Sequence, residues 1–154
     1  MNPNELKLSY PLGTTQPEPG RAIAVADGVR WVRMPLPFAL DHINVWLLRD
    51  EIDGRQGWTL VDTGVSREPV KALWEQIFSN QLDGLPILRV VVTHMHPDHV
   101  GLAHWLCERW NAPLWMSMTD FAIARLWSRP AVPGDAGAGG GTGGNIALQH
   151  FVHP

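Results

Sequence analysis

The segment LRVVVTH, residues 88–94, constrains the fold most, because it is a continuous apolar run that ends directly at polar residues. A short run rich in β-branched residues is typical of a strand buried on both faces of a sheet. Helical periodicity precedes it at 65–80 and follows it at 99–110. The sequence therefore predicts a sheet with helices packed on it.

The segment 65–80 is the clearest predicted helix. Ser66 is a candidate N-cap, and Pro69 falls in the first turn, where its missing N–H costs little. One face carries apolar residues at helical spacing, which indicates that this face packs on the sheet. These residues are Val70, Leu73, Trp74, Ile77 and Phe78.

The remaining elements are mainly strands. Asp27-Gly28 is a hairpin-type turn pair that joins two short predicted strands within 22–36. The order is β-hairpins followed by alternating strands and helices, which is typical of the α/β or α+β class. Further strands are predicted at 43–50, 58–64 and 112–118, and a last short helix at 119–127 with Thr119 as its cap.

Composition restricts the classes of function. Twelve Lys and Arg against 15 Asp and Glu give a formal charge of −3, without a basic cluster, which argues against nucleic-acid binding. No apolar run approaches the ~20 residues of a membrane-spanning helix. We find no signal segment at the N-terminus and only one cysteine, Cys107, so we expect a cytoplasmic protein without an internal disulfide.

Four potential metal ligands lie within six positions after the buried strand: His94, His96, Asp98 and His99. In an extended chain, side chains at i and i+2 point to the same side, so the first two imidazoles can converge. Imidazole and carboxylate suit Zn²⁺, Fe and Mn²⁺, and two pairs of ligands favour two ions with an activated water between them. The alternative is a polar turn without any ligand.

These four residues form the pattern His-x-His-x-Asp-His, and with it the chain resembles the metallo-β-lactamase superfamily. TLVDTG (59–64) and INVWLL (43–48), with its Asn44, resemble two earlier strands of that family. GLAHWLCERWNAPLWMS (101–117) resembles the helix and strand that follow its metal motif. The chain departs at Leu102, where many members have a second glycine. The resemblance covers roughly residues 21–128.

The resemblance implies an α+β fold, the first half of an αββα sandwich, with a mixed sheet and helices on one face. It implies that His94 and His96 bind a first metal, and that Asp98 and His99 bind a second. Asp98 would also be catalytic, orienting the attacking water or carrying its proton. Asp62 would lie beneath the ligands and hold them or the water; the alternative is a strand-end Asp that closes a turn with Gly64. We expect Zn²⁺ as the cofactor, one or two ions, with Fe or Mn as alternatives.

The family requires three further ligands downstream, a His, a bridging carboxylate and a last His. We expect His104 to point away from the His99 face of its helix, and Asp120 to act as a charge at a helix N-terminus. Neither His near the C-terminus has the Gly-His-Thr context of the family. The candidates are His104, Asp120, Asp135, His150 and His153.

Two hypotheses of function follow. The first is a metal-dependent hydrolase in which metal-activated water attacks an ester, thioester, lactone or similar bond of a small-molecule substrate. The second is a truncated, non-catalytic fragment that acts by binding a partner. We expect residues 1–20 to be an irregular lead-in, 21–130 the N-terminal half of the domain, and 131–154 a flexible Gly-rich tail. Half a sandwich would leave a sheet face bare, which favours self-association.

Four residues outside the motif are expected to have structural roles. Cys107 is expected to be a buried, inert thiol rather than a nucleophile. His42 is expected to be a structural His, with a substrate pocket as the alternative. Trp46 and Trp58 are expected to lie in the core, on opposite sides of a hairpin.

Overall fold

In a computed structural model of the chain, the structure describes residue 2 and residues 4–128. Over these residues the chain forms one sheet with helices, preceded by a single 3₁₀ turn at Glu5–Lys7. In chain order the elements are β1 (Ala22–Ala26), β2 (Val29–Pro35), β3 (His42–Ile52), β4 (Arg55–Val61), α1 (Glu68–Asn80), β5 (Ile87–Val91), α2 (Pro97–Val100), α3 (Ala103–Trp110), β6 (Leu114–Trp115) and α4 (Met118–Trp127).

The sheet is mixed, as expected. Its strands lie in sequence order, β1 to β6. The first four strands pair antiparallel, whereas β5 is parallel to both β4 and β6. Parallel neighbours need a crossover connection, and α1 and α3 provide the two crossovers. The carboxyl ends of β4, β5 and β6 therefore point to the same edge of the sheet.

Tight turns join the antiparallel strands. The predicted turn at Asp27-Gly28 is confirmed, and Gly28 has φ +67°, a left-handed conformation that glycine adopts without a Cβ penalty. Asp53 and Gly54 connect β3 to β4 with φ values of +52° and +74°. Consecutive positive φ values match the right-handed twist of the paired strands.

One face of the sheet forms the core with α1 and α3. Val45, Leu47 and Leu60 point to this face and are fully buried. Trp74 of α1 is also fully buried, and its Nε1 donates to the carbonyl of Thr63 at 2.8 Å. The helices thus pack on one face of the sheet, and α1 does so with its predicted apolar stripe.

The opposite face is only partly covered by the described residues. Trp31 and Trp46 stack on it with ring centroids 6.3 Å apart. The expectation that Trp46 is a core residue is wrong, because it points away from the helices and is only half-buried, whereas Trp58 is 2% exposed. β5 is likewise not buried on both faces, since Arg89 and Val91 are half-buried.

Several predicted element ends differ from the structure. The N-cap of α1 is Arg67 rather than Ser66, although Pro69 does lie in its first turn. The last helix is capped by Ser117, whose hydroxyl accepts the Asp120 N–H, and not by Thr119. β6 is much shorter than 112–118.

The predicted helix 99–110 is two helices, α2 and α3, that meet at Gly101 and Leu102. α2 begins at Pro97, which favours the first helical position because its N–H is not needed there. Among the described residues, no helix is both long and apolar enough to cross a membrane.

We expect Trp74→Ala to lower the free energy of unfolding by about 3–5 kcal/mol, because it leaves a cavity and removes the hydrogen bond to Thr63. Trp127 is 56% exposed, so Trp127→Ala is the matched control and should change stability by less than about 0.5 kcal/mol. Urea unfolding followed by circular dichroism measures both. Equal losses in the two variants would contradict this description of the core.

Candidate metal centre

The parallel pairing of β4 and β5 brings two loops to one edge of the sheet. β4 ends at Val61 and β5 at Val91, and these two residues are partners in the register. Asp62 therefore follows one strand directly beside the residues that follow the other. The backbone N–H of Asp62 donates to the carbonyl of Val91 at 2.8 Å and closes this edge.

Asp62 is the buried centre of this arrangement, with only 4% of its surface exposed. Its carboxylate accepts the backbone N–H of Thr93 at 2.8 Å and the Thr93 hydroxyl at 2.9 and 3.0 Å. It also contacts Nδ1 of His99 at 2.9 Å. Asp62 has φ +62°, a left-handed conformation that costs a non-glycine residue of the order of 1 kcal/mol. These bonds hold the strained backbone and aim the carboxylate under the histidines.

Three imidazoles converge above Asp62. Nε2 of His94 lies 2.9 Å from Nδ1 of His96, and the ring centroids of His94 and His99 are 4.0 Å apart. The convergence arises in a loop rather than in a strand, since β5 ends at Val91. Thr93 and His96 are exposed and His94 and His99 half-exposed, so the cluster opens to solvent.

The electrostatics of the cluster separate two of the histidines. Burial lowers the pKa of His94, and the neighbouring imidazoles of His99 and His96 lower it further, so His94 favours the neutral form that binds metals. The hydrogen bond to Asp62 raises the pKa of His99, against the opposite effect of burial. With Nδ1–H directed at Asp62, the neutral ring of His99 presents Nε2 as its free donor atom.

Asp98 lies beside the cluster at the start of α2. Its Oδ2 is 3.6 Å from Nε2 of His99, and its side chain is 20% exposed. All four residues of the His-x-His-x-Asp-His pattern, together with Asp62, therefore lie around one end of β5. The roles assigned to them, as ligands, catalytic residue and ligand support, remain predictions.

The types of donor atom suit a divalent ion, but their positions do not form a coordination shell. Within residues 4–128, no group of three or more His, Cys, Asp or Glu side chains is already arranged to hold a metal. The His94 and His96 nitrogens hydrogen-bond each other at 2.9 Å. Two nitrogens on one tetrahedral Zn²⁺ lie about 3.3 Å apart, a separation close to the one seen here.

Threonine and glycine residues that the sequence reasoning missed support the site. The Thr63 hydroxyl donates to the His99 carbonyl at 2.6 Å and accepts the Leu102 N–H at 3.1 Å. Gly101 lies against backbone: an added Cβ would be 2.4 Å from the Pro97 carbonyl oxygen and 2.8 Å from that of Gly64. The Asp-Thr-Gly triplet was the available signal, but its hydrogen-bond partners are distant in sequence.

The other candidates have different surroundings. His104 pairs with Glu108 one turn later on α3, at 3.3 Å. Asp120 was predicted only as a charge at a helix N-terminus. In the structure its carboxylate also accepts the backbone N–H of Met95, across the site, at 3.1 Å. His42 contacts Asp41 and Arg33 at the start of β3. Asp135, His150 and His153 lie outside the described residues.

Comparison with known proteins decides the family. A family model described as the metallo-beta-lactamase superfamily matches residues 39–144, more than half of the chain. The chain belongs to the metallo-beta-lactamase superfamily. This confirms the resemblance seen in the His-x-His-x-Asp-His pattern and in the two strands before it.

Solved and curated relatives agree with this assignment. A beta-lactamase domain protein from Burkholderia ambifaria is 57% identical, with a TM-score of 0.78 over 82% of this chain. A metallo-beta-lactamase family protein from Thermus thermophilus shares the fold, at 24% identity and a TM-score of 0.56 over 70% of the chain and 35% of its own length. The probable metallo-hydrolase YqjP of Bacillus subtilis (strain 168) is 36% identical over 72 residues, 46% of this chain.

The chain spans only part of these superfamily members. It covers 38% of the Burkholderia protein and 21% of the Bacillus protein. The activities and substrates of complete members therefore do not pass directly to this chain.

We expect Gly101→Ala to destabilise the protein by about 2–3 kcal/mol, because the new methyl group would overlap backbone atoms that cannot move aside. Gly84→Ala is the control: its Cβ meets nothing within 4 Å, and only its positive φ of 73° adds a cost, about 1 kcal/mol. Urea unfolding compares the two. A smaller loss for Gly101→Ala than for Gly84→Ala would contradict the close packing of α2 on the Gly64 backbone.

We expect Cys107 to react slowly in the folded protein. Burial raises its pKa from 9.0 to about 11, so the thiolate fraction at pH 8 falls from about one tenth to about one thousandth. The rate of labelling with iodoacetamide at pH 8 should therefore be at least ~100 times lower in buffer than in 6 M guanidinium. Equal rates, with the chain shown to be folded by circular dichroism, would contradict the assignment of an inert thiol.

Proposed function

We propose that this chain carries the metal-binding centre of a metal-dependent hydrolase. The observation that supports this most is the convergence of His94, His96 and His99 above a buried carboxylate, Asp62, at the carboxyl end of β5. Membership of a hydrolytic superfamily and similarity to a probable metallo-hydrolase support the same class of activity.

In this proposal His94 and His96 hold one divalent ion, Zn²⁺ being the first choice, and Asp98 and His99 hold a second. Ions bound there would act as Lewis acids and lower the pKa of a water molecule toward about 7. Asp62 keeps the Nδ1 proton of His99 and so directs Nε2 toward the ligand position. Asp98 Oδ2 lies beside that nitrogen and would orient the attacking water or accept its proton.

The substrates we propose are small molecules with an ester, thioester, lactone or similar bond. The exposed edges of Thr93 and His96 leave the cluster open on its solvent side, where such a group would approach. The donor set indicates the type of reaction more closely than it indicates the substrate.

We expect the full 154-residue chain to bind Zn²⁺ at pH 7.5 and His96→Ala to weaken that binding at least ~10-fold, because it removes a direct donor. His104→Ala is the matched control: His104 pairs with Glu108 within α3, and its replacement should leave the zinc Kd unchanged. Competition with a chromophoric chelator measures both. Identical Kd values for the wild type and His96→Ala would remove the proposal.

The same preparations test catalysis. Zinc-dependent hydrolysis of p-nitrophenyl acetate or of a simple lactone, lost in Asp98→Asn, supports the hydrolase. Tight zinc binding without hydrolysis instead favours the second hypothesis, a non-catalytic fragment.

A further inference from the structure

We propose that Asp120, on the helix after β6, is a positioning residue that fixes the shape of the loop 93–96, here called the metal loop. The proposal rests on the proposed function, because the loop carries His94 and His96. Its basis is one contact: Oδ1 of Asp120 accepts the backbone N–H of Met95 at 3.1 Å. Met95 lies between the two histidines, so this bond restrains the backbone at the middle of the loop.

The metal loop needs such restraint because it lies beyond the sheet. β5 ends at Val91, so strand pairing does not fix residues 93–96. Two carboxylates hold alternate amides instead: Asp62 accepts the N–H of Thr93 at 2.8 Å, and Asp120 accepts that of Met95. Fixing both amides therefore restrains the backbone on either side of His94 and directly before His96.

Asp120 is itself held in place. It is the third residue of α4, and its own N–H donates to the hydroxyl of the N-cap Ser117 at 3.0 Å. The Ser117 hydroxyl in turn lies within hydrogen-bonding distance of Oδ2. Ser-x-x-Asp at these positions resembles a capping box, in which the third residue's carboxylate normally returns to the N-cap N–H. Here that carboxylate reaches across to another segment and ties α4 to the metal loop.

The charge of Asp120 strengthens the contact. The Ser117 hydroxyl lowers the pKa of Asp120, and the Met95 N–H and the imidazoles of His94 and His96 lower it further, against the opposing effect of burial. The carboxylate is therefore ionised at neutral pH, and its bond to the Met95 N–H is charge-assisted. One oxygen is engaged by Met95 and the other by Ser117, which is the arrangement of a support rather than of a ligand.

The test compares zinc Kd values of three variants of the full chain at pH 7.5. Asp120→Ala removes the acceptor, and we expect the Kd to rise about 10-fold. Asp120→Asn keeps an oxygen acceptor at the same distance along the side chain and should restore the Kd to within about threefold of wild type. Thr119→Ala, an exposed neighbour in the same helical turn, controls for substitution in α4 and should leave the Kd unchanged.

Amide exchange of the metal-free chain gives a second readout. The Met95 N–H should exchange faster in Asp120→Ala than in the wild type and Asp120→Asn, whether or not zinc binds. If Asp120→Ala does not fold, Asp120→Ser is measured in its place. The serine hydroxyl lies one bond closer to the backbone than the aspartate oxygens, so it does not reach the Met95 amide. Serine is also tolerated at the start of a helix.

The outcomes separate the two proposals. A wild-type chain that binds no zinc overturns the proposed function, and this inference with it. A wild-type chain that binds zinc no more tightly than Asp120→Ala overturns this inference alone. An Asp120→Asn variant as weak as Asp120→Ala also overturns it, because charge rather than the hydrogen bond would then be responsible.

Discussion

The interaction on which the rest of the site depends is the buried carboxylate of Asp62 between two segments that are distant in sequence. It accepts the amide and hydroxyl of Thr93, which follows β5, and contacts His99, which lies in α2. A buried carboxylate is costly unless its acceptor sites are used, and here they are used by groups of the metal loop and of the next helix. One side chain thus satisfies its own hydrogen bonds and sets the geometry of the histidines at the same time.

The sheet makes this interaction possible. Because α1 returns the chain so that β5 lies parallel to β4, the residues after both strands meet at one edge. The core below keeps that edge rigid: Trp74 holds the Thr63 carbonyl, and the Thr63 hydroxyl holds the turn between α2 and α3. Packing that stabilises the helices on the sheet therefore also positions the candidate ligands.

The sequence predicted the elements and the histidine cluster because both have local signals. Helical periodicity predicted α1, the Asp-Gly pair predicted the first hairpin, and four donor residues in six positions predicted the site. It failed where the deciding contacts are distant. The break between α2 and α3 lies where the Gly64 backbone approaches Gly101, and one side of β5 is only half-buried among the described residues. No local pattern indicated that Asp120 would reach Met95, because 25 residues separate them.

The two faces of the sheet also explain why a site can be built on this part of a superfamily fold. The helix side is closed, since Leu106 of α3 and Trp74 of α1 are fully buried. The other face carries stacked Trp31 and Trp46, and beside them the Thr59 hydroxyl and Arg89 share the Asp50 carboxylate. These polar groups are thus paired with one another within the sheet. The geometry of the imidazoles consequently depends on the side of the sheet that the helices cover.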